Sequence, residues 1–396
     1  MKKETIAVGR PSLLRQTNAL TLLQLLRAAG SCSRADLVRA SGLSAPTVTN
    51  VVNDLLGAGL ILALGEGESS GGRPPDMIRF NAGRDCIAAV QITAGSLFFL
   101  LTDLSGAELE RSEISLEGKK TTPPAICALI GSETRRLLKG QKKSAERLLA
   151  MVVGVPAITN VVEGVVLSIS TLEGWRSVPL RELLRKVVSC PVILENDTNL
   201  AALGECFRGA AEGELSFVLI HIGSNVGAGI VLDGRIHRGA QWSAGEIAYL
   251  RLPGISRRQP ALYEFGELES VVTSGGIVES WKAAVKGVAG VRKDVDAGAV
   301  LELAEAGDAR AKKIVQQRAV VIADIILNLA LILNPGLILL GGAVGSHAVV
   351  LQLVTEELER CEFAIPRIAA AGLGESGVLW GAIAVALEAV PGLLIP

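Results

Sequence analysis

Apolar residues near the start of the chain recur at helical spacing. From Thr17, the stretch TNALTLLQLLRAAG places most of its leucines on one face of a helix, and Gly30 ends the pattern. Two shorter helical segments follow, SRADLVRASG with Ser33 as its N-cap and LSAPTVTNVVNDLLGAGL with Ser44 as its N-cap. The tight turn between them contains Gly42. Two short helices joined by such a turn, and preceded by a supporting helix, predict a helix-turn-helix unit.

The last of these helices has one apolar and one polar face. Val48, Val51 and Leu55 would hold it against the other two helices. Its opposite face carries small hydroxyl and amide side chains, which can reach base edges and phosphates in a DNA major groove. The predicted DNA-contacting residues of this helix are Ser44, Thr47, Thr49, Asn50 and Asn53. The alternative interpretation is a solvated helix face in a protein-binding bundle.

The next stretch, GLILALGEGESSGGRPPDMIRF, has the pattern of a strand, a turn and a second strand. Its turn contains Gly71, Gly72, Arg73 and Pro74. Glycines let a backbone approach DNA closely, and an arginine held beside a proline suits a narrow minor groove. We therefore expect a winged helix that contacts DNA through Arg73. The alternative is a flexible linker that happens to carry one arginine.

Beyond residue 84, apolar strand-like runs alternate with helical patterns such as residues 311–333, which is typical of α/β domains. Residues 86–104 and 215–234 each resemble a β-hairpin that opens a lobe, and two related openings indicate a duplicated fold. The turn of the second hairpin is predicted to be glycine-rich, and glycine amides can donate to phosphate oxygens. The phosphate-loop-like residues are Gly223, Ser224, Gly227 and Gly229.

Length and charge narrow the class of protein. At 396 residues, about half of them apolar, the chain is long enough for two or three domains. The whole chain is at −1, but residues 1–84 hold ten Lys or Arg against six Asp or Glu, a net charge of +4 that suits an anionic partner. Because we find no convincing membrane-spanning run and no signal-peptide core, we expect a cytoplasmic protein without a membrane partner.

The stretch ENDTNLAALGE sets two carboxylates, Glu195 and Asp197, beside the amide of Asn196, directly after a β-rich apolar run. Three functions are open for this group. A general base would need a substrate hydroxyl within hydrogen-bond reach. A binding group needs only a charge-assisted hydrogen bond to its ligand. Finally, Asn196 and Asp197 could simply cap the helix that follows.

Several motifs occur in a fixed order along nearly the whole chain: the helix-turn-helix with its GGRP wing, then GVP, ENDTNLAALGE, HIGSNVGAGIVLDGRIHRGAQWSAGEI and LNPGLILLGGAV. Together they resemble the ROK family of repressors, open reading frames and kinases. The resemblance implies an α/β fold, with an N-terminal winged helix-turn-helix followed by an actin/hexokinase-like two-lobed ROK domain that holds a sugar in its cleft. The expected divisions are residues 1–82 for the DNA-binding domain, 83–198 for the first lobe, completed by a C-terminal helix at about 378–396, and 199–377 for the second lobe.

The resemblance also implies roles in the cleft. In the family's kinases the Asp of END takes the proton of the sugar hydroxyl, and in its repressors the same Asp holds that hydroxyl; Asp197 stands at this position. Glu246 in SAGEI and Glu269 in GELES match the sugar-contacting glutamates, whereas Tyr249 replaces a histidine and Thr171 lies near the place of an asparagine. The expected effector-binding residues are Asn196, Asp197, Glu246, Glu269 and Thr171.

Two features of the family are not retained. Its kinases end the first strand in D-x-G-G-T, whereas QITAGS has Gln91 at the acidic position and Thr93 in place of the first glycine. A neutral amide lacks the anionic field that organises Mg²⁺. Most relatives carry a C-x-C-G-x-x-G-C zinc motif, whereas LPGISRRQPALYEFGELES contains neither Cys nor His. We therefore expect no zinc, no ATP and no catalysis.

The sequence thus predicts a transcriptional regulator, and specifically a repressor, that binds operator DNA as a homodimer or homotetramer and senses a carbohydrate. Two rival hypotheses stay open. An ATP-dependent sugar kinase with a DNA-binding domain would use Asp197 and the second glycine turn, and Gln91 argues against it. A ligand-independent DNA-binding regulator would use its lobes only to form oligomers, and the replacement of the histidine by Tyr249 favours it.

Overall fold

The computed structural model describes residues 11–66, 76–169, 172–255, 266–289, 291–363 and 365–395. Two predicted site residues, Arg73 of the wing and Thr171 of the cleft, lie outside these ranges. The described residues form a winged helix followed by two α/β lobes, each built on a five-stranded sheet. The predicted combination of a winged helix-turn-helix with a two-lobed α/β body is confirmed.

The N-terminal domain packs three helices against a three-stranded sheet. Its elements are α1 (Pro11–Ala29), β1 (Ser31–Ser33), α2 (Arg34–Ser41), α3 (Ala45–Gly57), β2 (Ile61–Glu66) and β3 (Asp76–Phe80). Helices α2 and α3 begin at the predicted caps, since Ser33 accepts the N–H of Asp36 and Ser44 accepts the N–H of Thr47. Gly42 follows α2 with φ of 68°, the left-handed conformation that favours glycine at a helix end. Local residues therefore fix the helix-turn-helix.

The first lobe combines a large sheet with a small one. Its elements are β4 (Cys86–Ile92), β5 (Ser96–Asp103), β6 (Glu108–Ser115), α4 (Pro123–Gly140), β7 (Leu148–Val155), β8 (Thr159–Asn160), β9 (Val165–Ser168), β10 (Arg176–Val178), α5 (Leu180–Arg185) and β11 (Val192–Asn196). The large sheet has the order β11-β7-β4-β5-β6, in which β4, β7 and β11 are parallel. The carboxyl ends of these strands share one sheet edge, where Gln91 and Asn196 lie.

The second lobe repeats this strand arrangement. Its elements are α6 (Asp197–Arg208), β12 (Phe217–Ile222), β13 (Val226–Leu232), β14 (Arg235–Ile236), α7 (Glu269–Val272), α8 (Ser274–Ala284), α9 (Ala297–Glu305), α10 (Ala309–Leu333), β15 (Leu337–Gly341), α11 (Gly342–Gly345), α12 (Ala348–Leu358) and β16 (Arg367–Ala370). Its sheet has the order β14-β13-β12-β15-β16, with an antiparallel meander followed by two parallel neighbours. The expected duplication is present in the strand order.

The last helix, α13 (Gly377–Leu394), returns to the first lobe and packs on β4 and β7. It also lies along α6 at backbone contact distance. A Cβ atom on Gly204 would stand 2.1 Å from the carbonyl oxygen of Gly377, and one on Gly381 would stand 1.8 Å from that of Leu200. Only glycine allows such an approach, so the backbones of α6 and α13 touch directly.

Helix α6 bridges the two lobes. The predicted division at residues 198 and 199 falls inside this helix, because the helix starts at Asp197 immediately after its N-cap Asn196. It contacts β7 and β11 of the first sheet as well as β12 and β13 of the second. The predicted boundary thus lies within a helix that contacts the sheets of both lobes.

One hydrophobic cluster of described residues runs from the winged helix into both lobes. It includes Leu22 and Leu26 of α1, Val390 of α13, Leu200 of α6 and Phe217 of β12, all buried. Two further clusters fill the remaining interior of the first and second lobes. The winged helix therefore shares a core with the body rather than hanging from it by a linker alone.

Two helices, α10 and α13, are long and apolar enough to cross a membrane by length and composition alone. No such run was expected from the sequence. About half of each apolar window is buried inside the fold, and the core helices of folded domains pass the same test. Here α10 packs on α9 and α12, and α13 packs on α6, so both helices have structural partners within the protein.

Candidate functional site

Three of the predicted effector-binding carboxylates belong to different elements near the start of α6. We call Asp197, Glu246 and Glu269 the carboxylate site. Beside it, Asn196 is fixed by two hydrogen bonds: its Oδ1 accepts the N–H of Asn199 at 3.0 Å, and its Nδ2 donates to the carbonyl of Ala157 at 3.3 Å. The capping function considered for this motif is therefore performed by Asn196.

Asp197 is the first residue of α6. Its Oδ1 accepts the N–H of Thr198 at 2.7 Å and lies 3.3 Å from the Thr198 hydroxyl. Oδ2 receives no hydrogen bond from the described residues. Burial raises the pKa of Asp197 to about 6, and the hydrogen bonds from Thr198 oppose this rise only in part. The group is thus a carboxylate with one oxygen in use and one available to a ligand.

Glu246 follows a tight contact between its own segment and β13. Gly245 has φ of 88°, its carbonyl accepts the N–H of Ala228, and a Cβ atom at this position would lie 1.9 Å from the Ala228 oxygen. The backbone next to Glu246 is therefore held on the second sheet. Burial is the main cause that raises the pKa of Glu246 to about 7, and the negative charges of Asp197 and Glu269 contribute to the same rise.

Glu269 is held by backbone donors at the start of α7. Its Oε1 accepts the N–H of Val226 at 3.4 Å, and its Oε2 accepts the N–H of Gly266 at 2.9 Å. Burial raises the pKa of Glu269 despite these hydrogen bonds. Since Glu246 experiences the charges of both Asp197 and Glu269, the three carboxylates act on one region. Near neutral pH, Asp197 with a pKa of about 6 is mostly ionised, and Glu246 with a pKa of about 7 is partly protonated.

Sequence reasoning missed the ion pair beside this site, in which the carboxylate is buried and the arginine is partly exposed. Glu195 is only 3% exposed, and its Oε2 accepts from Nε and Nη2 of Arg238 at 2.7 and 2.6 Å. Its Oε1 accepts the Asn199 amide at 3.0 Å. Arg238 follows β14 of the second lobe, so this pair ties β11 to the segment that carries Glu246. The two residues are 43 positions apart, and no local spacing reveals such a pair.

The predicted DNA-contacting residues lie along α3. Asn50 and Asn53 are exposed, as is Ser44, while Thr47 and Thr49 are half-buried. Ser44 caps the helix, and its Oγ lies 2.8 Å from Thr47 Oγ1. Asn53 Oδ1 accepts from Arg34 of α2 at 3.0 Å, so an arginine that the sequence analysis did not single out lies beside the polar face. The predicted wing contact, Arg73, is outside the described residues.

Comparison with known proteins agrees with this architecture. The model of the ROK family matches residues 87–389, and that of the MarR family matches residues 17–62. The first match spans more than half of the chain. The chain belongs to the ROK family. The MarR-family match lies before the ROK-family match, over the helices of the N-terminal domain.

Relatives within the ROK family include both regulators and enzymes. The chain is 26% identical over 364 residues to a putative xylose repressor of Caldicellulosiruptor sp. strain Rt8B.4, which covers 89% of each chain. It is 31% identical over 289 residues to a glucokinase of Halalkalibacterium halodurans, which covers 70% of this chain and 85% of the enzyme. A solved ROK-family transcriptional regulator, a homologue of the E. coli Mlc protein, shares the fold with a TM-score of 0.79 at 23% identity over 96% of this chain and 98% of its own.

The residues of the first hairpin turn are hydrogen-bonded to one another. The backbone N–H and the hydroxyl of Thr93 both donate to the Ser96 carbonyl, at 3.0 and 2.9 Å, and the N–H of Ser96 donates back to Thr93 Oγ1 at 3.0 Å. Two of the turn's amides are therefore already engaged. Gln91 lies near the end of β4, opposite Phe98 and Gly154.

The second turn differs from the prediction in its extent. Gly223 and Ser224 lie in the turn, whereas Gly227 and Gly229 lie within β13. A Cβ atom on Gly229 would stand 2.7 Å from the carbonyl oxygen of Thr198, and one on Gly227 would stand 3.2 Å from the Thr198 hydroxyl. The close packing of α6 on β13 accounts for these two glycines without a phosphate.

Among the described residues, which leave out 256–265, no group of three His, Cys, Asp or Glu side chains is arranged to hold a metal ion. The residues that replace the family's zinc motif fall largely within that gap.

Proposed function

We propose that this protein is a transcriptional repressor that binds operator DNA through its winged helix and releases it when a carbohydrate occupies the cleft between the lobes. The observation that carries this proposal is the carboxylate site at the start of α6, the helix shared by both lobes. A ligand there touches elements of both lobes, so it can favour one arrangement of the lobes over another. The proposal has a direct structural route to DNA, because the winged helix shares its core with the body.

The effector is proposed to be a neutral sugar. Asp197 Oδ2 can accept a sugar hydroxyl, and Glu246, with a pKa of about 7, can donate or accept. Asn196, Glu269 and Thr171 complete the proposed site. D-xylose and D-glucose are the first sugars to test, because a xylose repressor and a glucokinase are among the similar proteins.

On the DNA side, we propose that α3 enters the major groove and that Arg73 contacts the minor groove. Asn50 is exposed and can make the bidentate contact to adenine that amide side chains favour. A homodimer or homotetramer would present two such helices to two half-sites. We place this activity in the cytoplasm, where operator DNA is accessible.

We propose that the protein has no kinase activity and requires neither ATP nor zinc. Gln91 is neutral where ROK kinases have an Asp, and the first turn uses the amides of Thr93 and Ser96 internally. A rival function, sugar phosphorylation, is favoured by Asp197 alone, because a carboxylate with a pKa of about 6 suits a general base. Turnover of D-glucose or D-xylose with Mg-ATP at about 1 per second or faster would establish the rival.

Isothermal titration calorimetry of the purified protein with D-xylose, D-glucose and N-acetylated hexosamines, with and without ATP, tests the sensor. We expect one sugar to bind without ATP, and Glu246→Ala to weaken it at least about tenfold, since a lost charge-assisted hydrogen bond costs about 1.5 to 3 kcal/mol. The variant Glu117→Ala, at an exposed site on the first lobe, is the control. No heat with any sugar would favour the ligand-independent regulator instead.

A further inference from the structure

Helix α13 contains a proline near its C-terminal end. Pro391 has no backbone N–H, and in an α-helix the N–H of residue 391 would bond the carbonyl of residue 387. The carbonyl of Leu387 therefore lacks its intrahelical donor. Because of Pro391, this carbonyl oxygen is an unpaired acceptor within an otherwise apolar helix. A buried acceptor of this kind requires a donor from outside the helix.

That partner comes from the DNA-binding domain. Arg27, in the last turn of α1, donates Nη1 to the carbonyl of Leu387 at 3.1 Å across 360 positions of sequence. The Arg27 guanidinium also lies 5.7 Å from the ring centroid of Phe80 at the end of β3, and burial lowers the pKa of Arg27. A cation near a helix C-terminus is favoured by the helix dipole, so the contact matches in charge as well as in geometry.

A second side chain of α1 contacts the same end of α13. Gln16 Nε2 donates to the carbonyl of Ile395 at 3.3 Å, beyond the last turn of the helix. Gln16 and Arg27 lie eleven residues apart, about three turns, and therefore on the same face of α1. In addition to the shared apolar core, the DNA-binding domain is thus held on α13 by hydrogen bonds to carbonyls that the helix itself does not satisfy.

The other end of this connection is the carboxylate site. Helix α13 touches α6 at Gly204 and Gly381, where neither glycine has space for a Cβ atom, so displacement of one helix moves the other. Helix α6 begins with Asp197, where the proposed ligand would bind. A continuous packed path therefore runs from Asp197 along α6, across to α13, and from Leu387 to Arg27.

We propose that the Arg27–Leu387 contact, made possible by Pro391, is the coupling element that transmits a shift of α6 to the DNA-binding helices. This regulation rests on the proposed function of the carboxylate site. Arg27 is a positioning residue in this scheme, because it contacts neither the DNA face of α3 nor the carboxylate site. Its loss should disconnect the two ends while each retains its own structure.

The first test needs neither sugar nor DNA. Hydrogen exchange and differential scanning calorimetry compare the wild type with Arg27→Met, which keeps an aliphatic side chain and removes the donor. We expect exchange in α1 and α3 to become at least about tenfold faster, and the winged helix to unfold in a separate transition, while α6 is unchanged. The matched control is Arg15→Met, which lies on α1 like Arg27 and removes an exposed ion pair with Asp54 of α3. Identical exchange in wild type and Arg27→Met would overturn the proposal.

A second variant addresses the proline directly. Pro391→Ala restores an N–H that competes with Arg27 for the Leu387 carbonyl. We expect faster exchange in α1 and α3, by a smaller factor than for Arg27→Met, without a lower unfolding temperature of the body. If Pro391→Ala instead leaves hydrogen exchange in α1 unchanged, the missing backbone N–H of Pro391 has no part in the coupling.

The final test connects the contact to the ligand. Operator affinity is measured by fluorescence anisotropy with and without D-xylose or D-glucose, and sugar binding is measured separately by calorimetry. We expect Arg27→Met to bind the active sugar as the wild type does but to lose most of the sugar-induced change in operator affinity. A full change in this variant would overturn the coupling. If neither sugar binds the wild type, the proposed effector is wrong, and the hydrogen-exchange test still decides whether Arg27 connects the domains.

Discussion

At the scale of single residues, burial in the carboxylate site disfavours the ionised form of its side chains. Asp197 and Glu246 have raised pKa values of about 6 and 7, chiefly because they are buried. Glu195, buried beside them, is instead neutralised by Arg238. The site thus separates one structural carboxylate from the carboxylates that remain available to a ligand, and each group has a consequence that can be measured.

The first prediction concerns the pH dependence of stability. The pKa of Glu246 is about 7 in the fold and about 4.5 in the unfolded chain, so its favourable contribution is complete below about pH 4.5 and is lost as the pH rises through 7. Glu246→Gln mimics the protonated form. We expect it to raise the free energy of unfolding at pH 8 by about 1 to 3 kcal/mol and to change it little at pH 5. Urea denaturation at both pH values measures this.

The exposed substitution Glu117→Gln is the control for Glu246→Gln. It should leave the difference in unfolding free energy between pH 5 and pH 8 as it is in the wild type. A Glu246→Gln variant with the wild-type pH dependence would show that Glu246 is not held in its protonated form by the fold.

The second prediction concerns the ion pair. Arg238→Met leaves Glu195 buried without its cation, so we expect a loss of about 3 kcal/mol in the free energy of unfolding. Adding Glu195→Gln should recover part of that loss. Arg360→Met breaks an ion pair with Glu357 in which the arginine side chain is 68% exposed, and it should cost less than about 1 kcal/mol. Equal losses for Arg238→Met and Arg360→Met in chemical denaturation would contradict the role given to the buried pair.

At the scale of elements, the contact between α6 and α13 is the tightest helix packing described. It depends on Gly204 and Gly381, whose missing side chains let the two backbones meet. These helices link the start of the carboxylate site to the docking surface of the winged helix. The packing therefore determines both the stability of the body and the path proposed for regulation.

The third prediction compares two glycines of the same helix. In Gly381→Ala the Cβ atom would meet the Leu200 carbonyl oxygen at 1.8 Å, so α13 must move away from α6. We expect a loss of about 2 kcal/mol or more, as for other overpacked interiors. Gly392→Ala has nothing within 4 Å of the new atom and should be neutral or stabilising by up to about 1 kcal/mol. Thermal unfolding of both variants decides this, and equal melting temperatures would be inconsistent with the packing described.

Some elements could be predicted from local sequence, and others depend on tertiary contacts. The caps Ser33 and Ser44 act within three residues, so the helix-turn-helix could be predicted from local sequence alone. Gly227 and Gly229 have a tertiary origin, the approach of α6 to β13, and local reasoning placed them in a phosphate-binding turn. The sequence predicted a ligand-binding site at Asp197, the start of α6. It did not predict that α6 connects the two lobes, because that role depends on contacts with both sheets.

At the scale of the whole molecule, the winged helix and the two lobes are one packed structure. The order of motifs was enough to predict the family and the architecture, and both are confirmed. The pairs Glu195–Arg238 and Arg27–Leu387 could not be predicted, because their members are 43 and 360 positions apart. Such contacts are set by the packing of sheets and helices, which a single sequence specifies only through the complete fold.

The fourth prediction concerns DNA binding by the assembled protein. Asn50 is exposed on α3, so Asn50→Ala should leave the melting temperature unchanged. It should weaken operator binding by about 1 to 3 kcal/mol and relax the sequence preference at one base pair. Asn328→Ala, at an exposed position of α10, is the control. If Asn50→Ala bound DNA with wild-type affinity and specificity, the proposal that α3 enters the major groove through Asn50 would be contradicted.

The central claim is that a sugar at the carboxylate site controls operator binding. The most direct measurement is fluorescence anisotropy of an operator selected from genomic fragments, titrated with the sugar that binds the wild type, for the wild type, Asp197→Ala and Glu246→Ala. The account predicts that the sugar releases the wild-type protein and that both variants bind DNA normally yet fail to release it at the same sugar concentration. Unchanged release by both variants would contradict it.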